Sequence, residues 1–211
     1  MSTPLDETEQ SPAEEPKRRS FVSELPFLLL AALFVAVIIK TFVIQPFYIP
    51  SGSMIPTLLI DDRVMVSKLS YVFSEPERGD VIVFENPYAP EVEESFPEAI
   101  VRSTLEALGI RTSANDDLIK RVVAVGGETI EVRDNQVFID GVPLDEPYLQ
   151  PGVAMGNFGP RAIAPDELFM MGDNRNESSD GRVFGPIPRD DVIGKAVFRI
   201  WPMDRLGSVD G

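Results

Sequence analysis

Residues 25–39 carry no charged side chain and consist almost wholly of Leu, Ala, Phe, Val and Ile. A run this apolar has to be buried, in a protein core or in lipid. At about 15 residues it is short for a bilayer span and close to the apolar core of a cleavable leader. Two features favour a retained anchor. Lys40 can snorkel to the far interface while 41–44 continue the apolar run, so 26–44 supplies about 28 Å of helix at ~1.5 Å per residue. No small-x-small cleavage site follows directly, because Gln45-Pro46-Phe47-Tyr48 comes next. Residues 21–44 are therefore read as a single transmembrane anchor. A helix buried in a soluble core would leave the preceding Lys17-Arg18-Arg19 without a role. That basic cluster closes a tail, 1–20, rich in Asp and Glu and read as disordered. Three basic residues before the span against Lys40 at its end put the N-terminus in the cytoplasm and 45–211 outside the cytoplasmic membrane.

What the chain lacks narrows its chemistry. There is no His and no Cys in its 211 residues. A Ser-His-Asp triad, a cysteine nucleophile and a His/Cys zinc site are excluded by inventory, and no metal or cofactor is expected. Covalent catalysis would have to use Ser, Thr, Lys, Tyr or a carboxylate, with Lys or a carboxylate as base. Nucleic acid is not an expected partner, since 19 basic residues face 34 acidic ones for a net charge of −15.

The part after the anchor reads as mainly β. The segments 63–67, 80–84, 118–125, 129–133, 136–139 and 192–201 are short, β-branched and separated by Gly, Pro, Asn or Asp. Asp134-Asn135 and Asp140-Gly141 carry hairpin-turn chemistry, which makes about 128–160 a hairpin-rich subregion. Residues 86–117 break the pattern with three prolines and a cluster of Glu, and read as a surface insertion.

Three clusters could carry chemistry. Pro50-Ser51-Gly52-Ser53-Met54-Ile55-Pro56 holds two serines around a glycine between prolines, stiff in φ with one permissive position. It suits a serine on a fixed turn but also an ordinary juxtamembrane linker, and it does not choose between Ser51 and Ser53. Of the lysines clear of the membrane (Lys68, Lys120 and Lys195), alternation puts Lys120 on one strand face with Leu118, Val122 and Ala124, with Arg121 on the other. An amine on an apolar face is placed to be desolvated, and poising it near pH 7.5 from about 10.4 takes a shift worth about 4 kcal/mol. The loop 171–182, dense in Gly, Asn, Asp and Ser, could orient that amine, and Asp180 could pair with Arg182.

Pro50-Ser51-Gly52-Ser53-Met54-Ile55-Pro56-Thr57-Leu58, the run 78–84, Lys120-Arg121-Val122, and Gly172-Asp173-Asn174-Arg175 through Ser178, Asp180 and Arg182 together resemble bacterial type I signal peptidase. They stand in that family's order after one anchor. The resemblance implies a membrane-bound serine endopeptidase that removes signal peptides from exported preproteins after Ala-x-Ala. It implies Ser53 as nucleophile and Lys120 as general base. Ser51 matches the side-chain half of the oxyanion hole, Ser178 the hydroxyl that orients the lysine, and Asp180 with Arg182 the supporting pair. Phe47, Ile49, Met54, Leu58 and Ile119 match the walls of the S1 and S3 pockets. Implied partners are signal peptides, the lipid bilayer and a nearby Sec translocation machinery. Gly181 departs from the serine usual in the family. Two rival readings are a self-cleaving Ser-Lys repressor-type protein, which would need an Ala-Gly or Cys-Gly bond that the chain lacks, and an anchored non-catalytic β domain that binds exported proteins.

Overall fold

The computed structural model describes residues 21–88 and 117–209. The tail 1–20, and the insertion between residues 88 and 117, lie outside the described residues. The chain divides into two units, Met1–Ala36 and Val37–Gly211, each described by itself.

Helix α1 spans Phe21–Phe42. Its described side chains, 25–35, are all exposed and apolar on every side, not along one stripe as in a helix packed on a soluble core. Among the described residues no helix is long and apolar enough to cross a membrane. The side chains described in α1 cover about 16 Å at ~1.5 Å per residue, against ~30 Å of hydrocarbon. The helix also stops earlier than the sequence suggests. Ile44, counted above as the end of the anchor, instead opens strand β1 and pairs with Ser67. Pro46 supplies the reason, because a helix continued through it would lose a backbone bond and clash with the carbonyl four residues earlier.

In chain order the strands are β1 (Ile44–Tyr48), β2 (Arg63–Ser67), β3 (Val81–Glu85), β4 (Asp117–Val125), β5 (Thr129–Arg133), β6 (Gln136–Ile139), β7 (Val142–Pro143), β8 (Phe158–Ala162), β9 (Glu167–Met171), β10 (Ile187–Pro188), β11 (Val192–Trp201) and β12 (Gly207–Ser208). Two short helices, α2 (Ser70–Phe73) and α3 (Gly181–Phe184), join them. The larger sheet has the order β1-β2-β11-β3-β4-β9-β10, with β12 on β11, and the smaller β7-β6-β5-β8. Neighbouring strands are antiparallel throughout.

Local chemistry explains the small sheet. Asp134 and Asn135 take φ of 51° and 61°, and Asp140 and Gly141 take 50° and 78°. Both two-residue turns are thus left-handed at both central positions, the geometry whose twist matches paired strands. They fix the registers Arg133↔Gln136 and Ile139↔Val142. β1 and β8 escaped the sequence reading because each contains a proline, and both are edge strands, where a missing N–H is tolerated.

Strand β4 lies inside the larger sheet, between β3 and β9. Val122 packs in a cluster with Ile82, Phe84, Leu168 and Met170, whereas Val123 and Ala124 pack against Ile130, Val132 and Val137 of the small sheet. A register shift between Val122 and Ala124 lets neighbouring residues serve both clusters. Both faces of β4 are therefore buried, and Arg121 lies inside no less than Lys120 does. Phe169, fully buried, carries the same cluster to Phe158, with ring centroids 5.2 Å apart. Phe169→Ala is predicted to destabilise the chain by about 3–5 kcal/mol, read as a lower urea midpoint in detergent.

Candidate active site

Three segments converge on the Lys120 amine: the turn after β1, the middle of β4 and the loop after β9. In the turn, Leu58 N–H donates to Met54 O at 2.9 Å and Ile55 N–H to Gly52 O at 3.2 Å. Met54 and Leu58 are fully buried in the core with Phe47 and Ile49, so apolar burial pins the turn from below. Ser53 is carried between these anchors and is itself buried. Ser51, two residues earlier, is exposed.

Lys120 is 3% exposed. Its Nζ donates to Ser53 Oγ at 2.7 Å and to Ile119 O at 2.9 Å. Burial lowers its pKa from 10.5 to about 8, and the nearby Asp180 and Asp173 carboxylates limit the fall. When the amine is neutral, the same 2.7 Å separation lets the Ser53 O–H donate to its lone pair. Lys195, by contrast, is paired with Asp80 at 2.5 Å.

The loop after β9 is held by two guanidinium–carboxylate pairs, one buried and one partly buried. Arg121 Nε and Nη2 donate to the two oxygens of Asp173 at 2.9 and 2.7 Å, and Thr57 Oγ donates to Asp173 at 2.5 Å. This ties the loop to the serine turn through the residue beside Lys120. Arg182 Nε and Nη2 donate to Asp180 at 2.8 Å each, and Gly172 N–H donates to Asp180 at 3.0 Å. Burial alone would raise the Asp180 pKa, but these donors outweigh it and hold the carboxyl below its usual value. Arg175, fully buried, donates to Gly172 O at 3.0 Å and reaches Glu146 at 2.5 Å.

Gly172 is the point of closest approach. A Cβ there would lie 2.2 Å from Ser178 Oγ and 2.5 Å from Ser53 O. Asn174 adds two bonds to the turn, from its N–H to Ser53 O and from Nδ2 to Gly52 O, both 3.0 Å.

Ser53 and Lys120 are in direct contact, and Asp180 pairs with Arg182. Ser178 Oγ is buried beside Gly172 and near enough to Asp180 to help keep it ionised, yet among the described residues it has no partner in hydrogen-bond geometry, Lys120 included. Phe47, Ile49 and Ile119 line a shallow cleft with Tyr48, Pro50 and Leu118, whereas Met54 and Leu58 sit behind it with no exposed surface. The sequence reading assigned no role to Thr57, Arg121, Asp173 or Asn174. The available signal is that all four stand in the motif blocks beside the candidate residues; their partners lie 42 to 122 positions away. Among the described residues no group of acidic side chains could hold a metal ion.

Comparison with known proteins bears on this geometry. The profile of the family described as "Signal peptidase, peptidase S26" matches residues 22–201. The chain belongs to that family. It is 38% identical over 207 residues to signal peptidase I of Leptolyngbya laminosa, covering 98% of this chain and 93% of the relative. It is 37% identical to signal peptidase I of Mycobacterium tuberculosis (strain H37Rv), covering 92% and 77%. With thylakoidal processing peptidase 1 of Arabidopsis thaliana it shares 34% identity over 91% of this chain and 52% of the relative. A crystal structure of a signal peptidase I from Enterococcus faecalis V583 covers 58% of this chain and 97% of its own, at 25% identity and a TM-score of 0.42. Serine peptidase chemistry in this family thus meets, here, a buried Ser–Lys pair in a chain without histidine.

Two predictions follow from the geometry. Gly172→Ala forces the loop off the Ser53 carbonyl and should lower kcat/KM by at least ~100-fold; near-normal turnover would show that the loop has room. Lys120→Met should stabilise the fold. Below pH 8 the buried amine is charged, at a cost of about 3 kcal/mol at ~1.36 kcal/mol per unit, and only above roughly pH 11.5, about one unit past the ordinary value of 10.5, is it neutral in folded and unfolded chains alike. Between these values the unfolded chain binds the extra proton, so this group's contribution to stability rises with pH. After losing ~1 kcal/mol for the Ser53 hydrogen bond, the variant should gain roughly 2 kcal/mol at pH 7 and lose that gain as pH approaches 10.5, as followed by denaturant unfolding.

Proposed function

We propose that the chain is a membrane-anchored signal peptidase that cleaves exported preproteins after small residues, with Ser53 as nucleophile and Lys120 as general base. The observation that carries this reading is the 2.7 Å contact between Ser53 Oγ and a buried amine whose pKa is lowered to about 8. Neutral Lys120 takes the Ser53 hydroxyl proton as Oγ bonds to the carbonyl carbon of the scissile peptide. The oxyanion that forms is met by the Ser53 N–H and the Ser51 hydroxyl, each donor worth typically ~2.7–4 kcal/mol. The C–N bond then breaks, the Lys120 ammonium gives its proton to the departing amine, and a Ser53 ester remains. Water, deprotonated by Lys120, attacks that ester, and the peptide acid leaves as Ser53 regains its proton.

Supporting roles fall to the surrounding groups. Asp180 and Arg182 hold the loop carrying Ser178, whose hydroxyl serves in this reading to orient the amine. Phe47, Ile49 and Ile119 wall the cleft for small side chains, and Met54 and Leu58 fix its floor from within the core. In this reading 21–42 lies in the bilayer, with the basic cluster 17–19 cytoplasmic and the β unit outside, near the Sec machinery that delivers substrates. Tethering enzyme and preprotein to one membrane supplies proximity.

The test is cleavage of a preprotein with an Ala-x-Ala site by the detergent-solubilised full chain. Ser53→Ala and Lys120→Ala should each lose activity by at least ~10³-fold, and Ser51→Ala by roughly 10²–10³-fold. For the wild type, kcat/KM should rise with pH on one acidic limb centred near 8, where the buried amine loses its proton. A profile flat down to pH 5 would remove Lys120 from the role of base.

A further inference from the structure

Asn174 grips the serine turn at two successive peptide units. Its backbone N–H donates to Ser53 O at 3.0 Å, and its Nδ2 donates to Gly52 O at 3.0 Å. The second contact matters more. The peptide unit that ends in the Gly52 carbonyl at one side ends in the Ser53 N–H at the other. In a planar trans peptide these two groups point in opposite directions, so a donor fixed on the carbonyl also fixes where the N–H is aimed. The Ser53 N–H itself donates no hydrogen bond within the described residues. The restraint inside the turn is weaker, since Ile55 N–H reaches Gly52 O at 3.2 Å, and a glycine at that position is soft in both φ and ψ. A hydrogen bond accepted at the carbonyl further polarises the amide and makes its N–H the stronger donor.

We propose that Asn174 is a positioning residue for the oxyanion hole: its side-chain amide holds the Gly52–Ser53 peptide so that the Ser53 N–H points at the oxyanion that forms during attack. The inference rests on the assignment of Ser53 as nucleophile. It gives the loop after β9 a second function. Beyond flanking Lys120, the loop orients the peptide that stabilises the transition state. Substitution of the Asn174 side chain leaves its backbone bond to Ser53 O in place, so the side-chain contribution can be separated from simple docking of the loop.

The experiment compares the wild type with Asn174→Ala and Asn174→Asp, as full chains in detergent, on an Ala-x-Ala peptide, with Ser53→Ala and Lys120→Ala as controls. Asn174→Asp keeps the shape but turns a donor facing Gly52 O into an acceptor. Both variants should lower kcat by roughly 10–100-fold while KM stays within about threefold and the acidic limb near pH 8 stays in place. They should also lose affinity for a peptide aldehyde, which forms a tetrahedral adduct, by a similar factor while binding the cleaved peptide normally. A general loosening of the site would instead move the acidic limb upward, as Lys120 gains water, and raise KM. That pattern overturns the proposal, as does a kcat within threefold of wild type in Asn174→Ala. If Ser53→Ala keeps its activity, the nucleophile assignment fails; if Ser53→Ala is inactive and Asn174→Ala is normal, only the positioning role fails.

Discussion

The Lys120 amine lies 2.7 Å from Ser53 Oγ in a site where it is almost wholly removed from water. An ammonium in that position gives up its hydration, and the resulting shift to about 8 is what the proposed role of an amine as base requires in a chain that contains no imidazole. Much of the architecture serves this burial. Lys120 is placed mid-strand in β4, paired with β3 through Ile82↔Lys120, while β9 pairs along the other edge from Arg121 onward and apolar clusters pack on both faces of the strand. The serine turn is brought down on top by Met54 and Leu58, which contribute burial and no chemistry.

Two carboxylates near the amine work against this arrangement, because each favours the ammonium. Both are engaged by guanidinium groups, Asp173 by Arg121 and Asp180 by Arg182. Pairing lets the loop use strong, directional hydrogen bonds for its shape without leaving bare negative charge beside the amine. The alternation of Lys120 and Arg121 along β4 then has a physical sense. One residue places its amine at the serine, and the next binds Asp173 of the loop and Thr57 of the serine turn.

How much of this could be read beforehand depended on the range of the interaction. The hairpin turns at Asp134-Asn135 and Asp140-Gly141 are local chemistry and stood out, as did the β-branched strands. The face of Lys120 was legible from alternation, although alternation misses that both faces of β4 are buried and that a bulge follows Val122. Strand β9, Glu-Leu-Phe-Met-Met, was passed over because it is neither β-branched nor alternating; it is buried along nearly its whole length. The turn 51–54 alone does not separate Ser51 from Ser53; in the structure Ser53 is buried against the amine and Ser51 is exposed. Contacts such as Asn174 to Gly52 join residues 122 positions apart and have no local signature.

Titrating the Lys120 side chain itself tests the central claim most directly. With lysine labelled at Cε and Nζ, and Lys120→Met used to assign its signal among the five lysines, the NMR shift can be followed from pH 6 to 12 in the folded chain. A midpoint near 8 is the result that burial against Ser53 requires. A midpoint above 10, with the other lysines titrating alongside, would mean that the amine is hydrated and cationic at neutral pH, and the account of Lys120 as a base would fail.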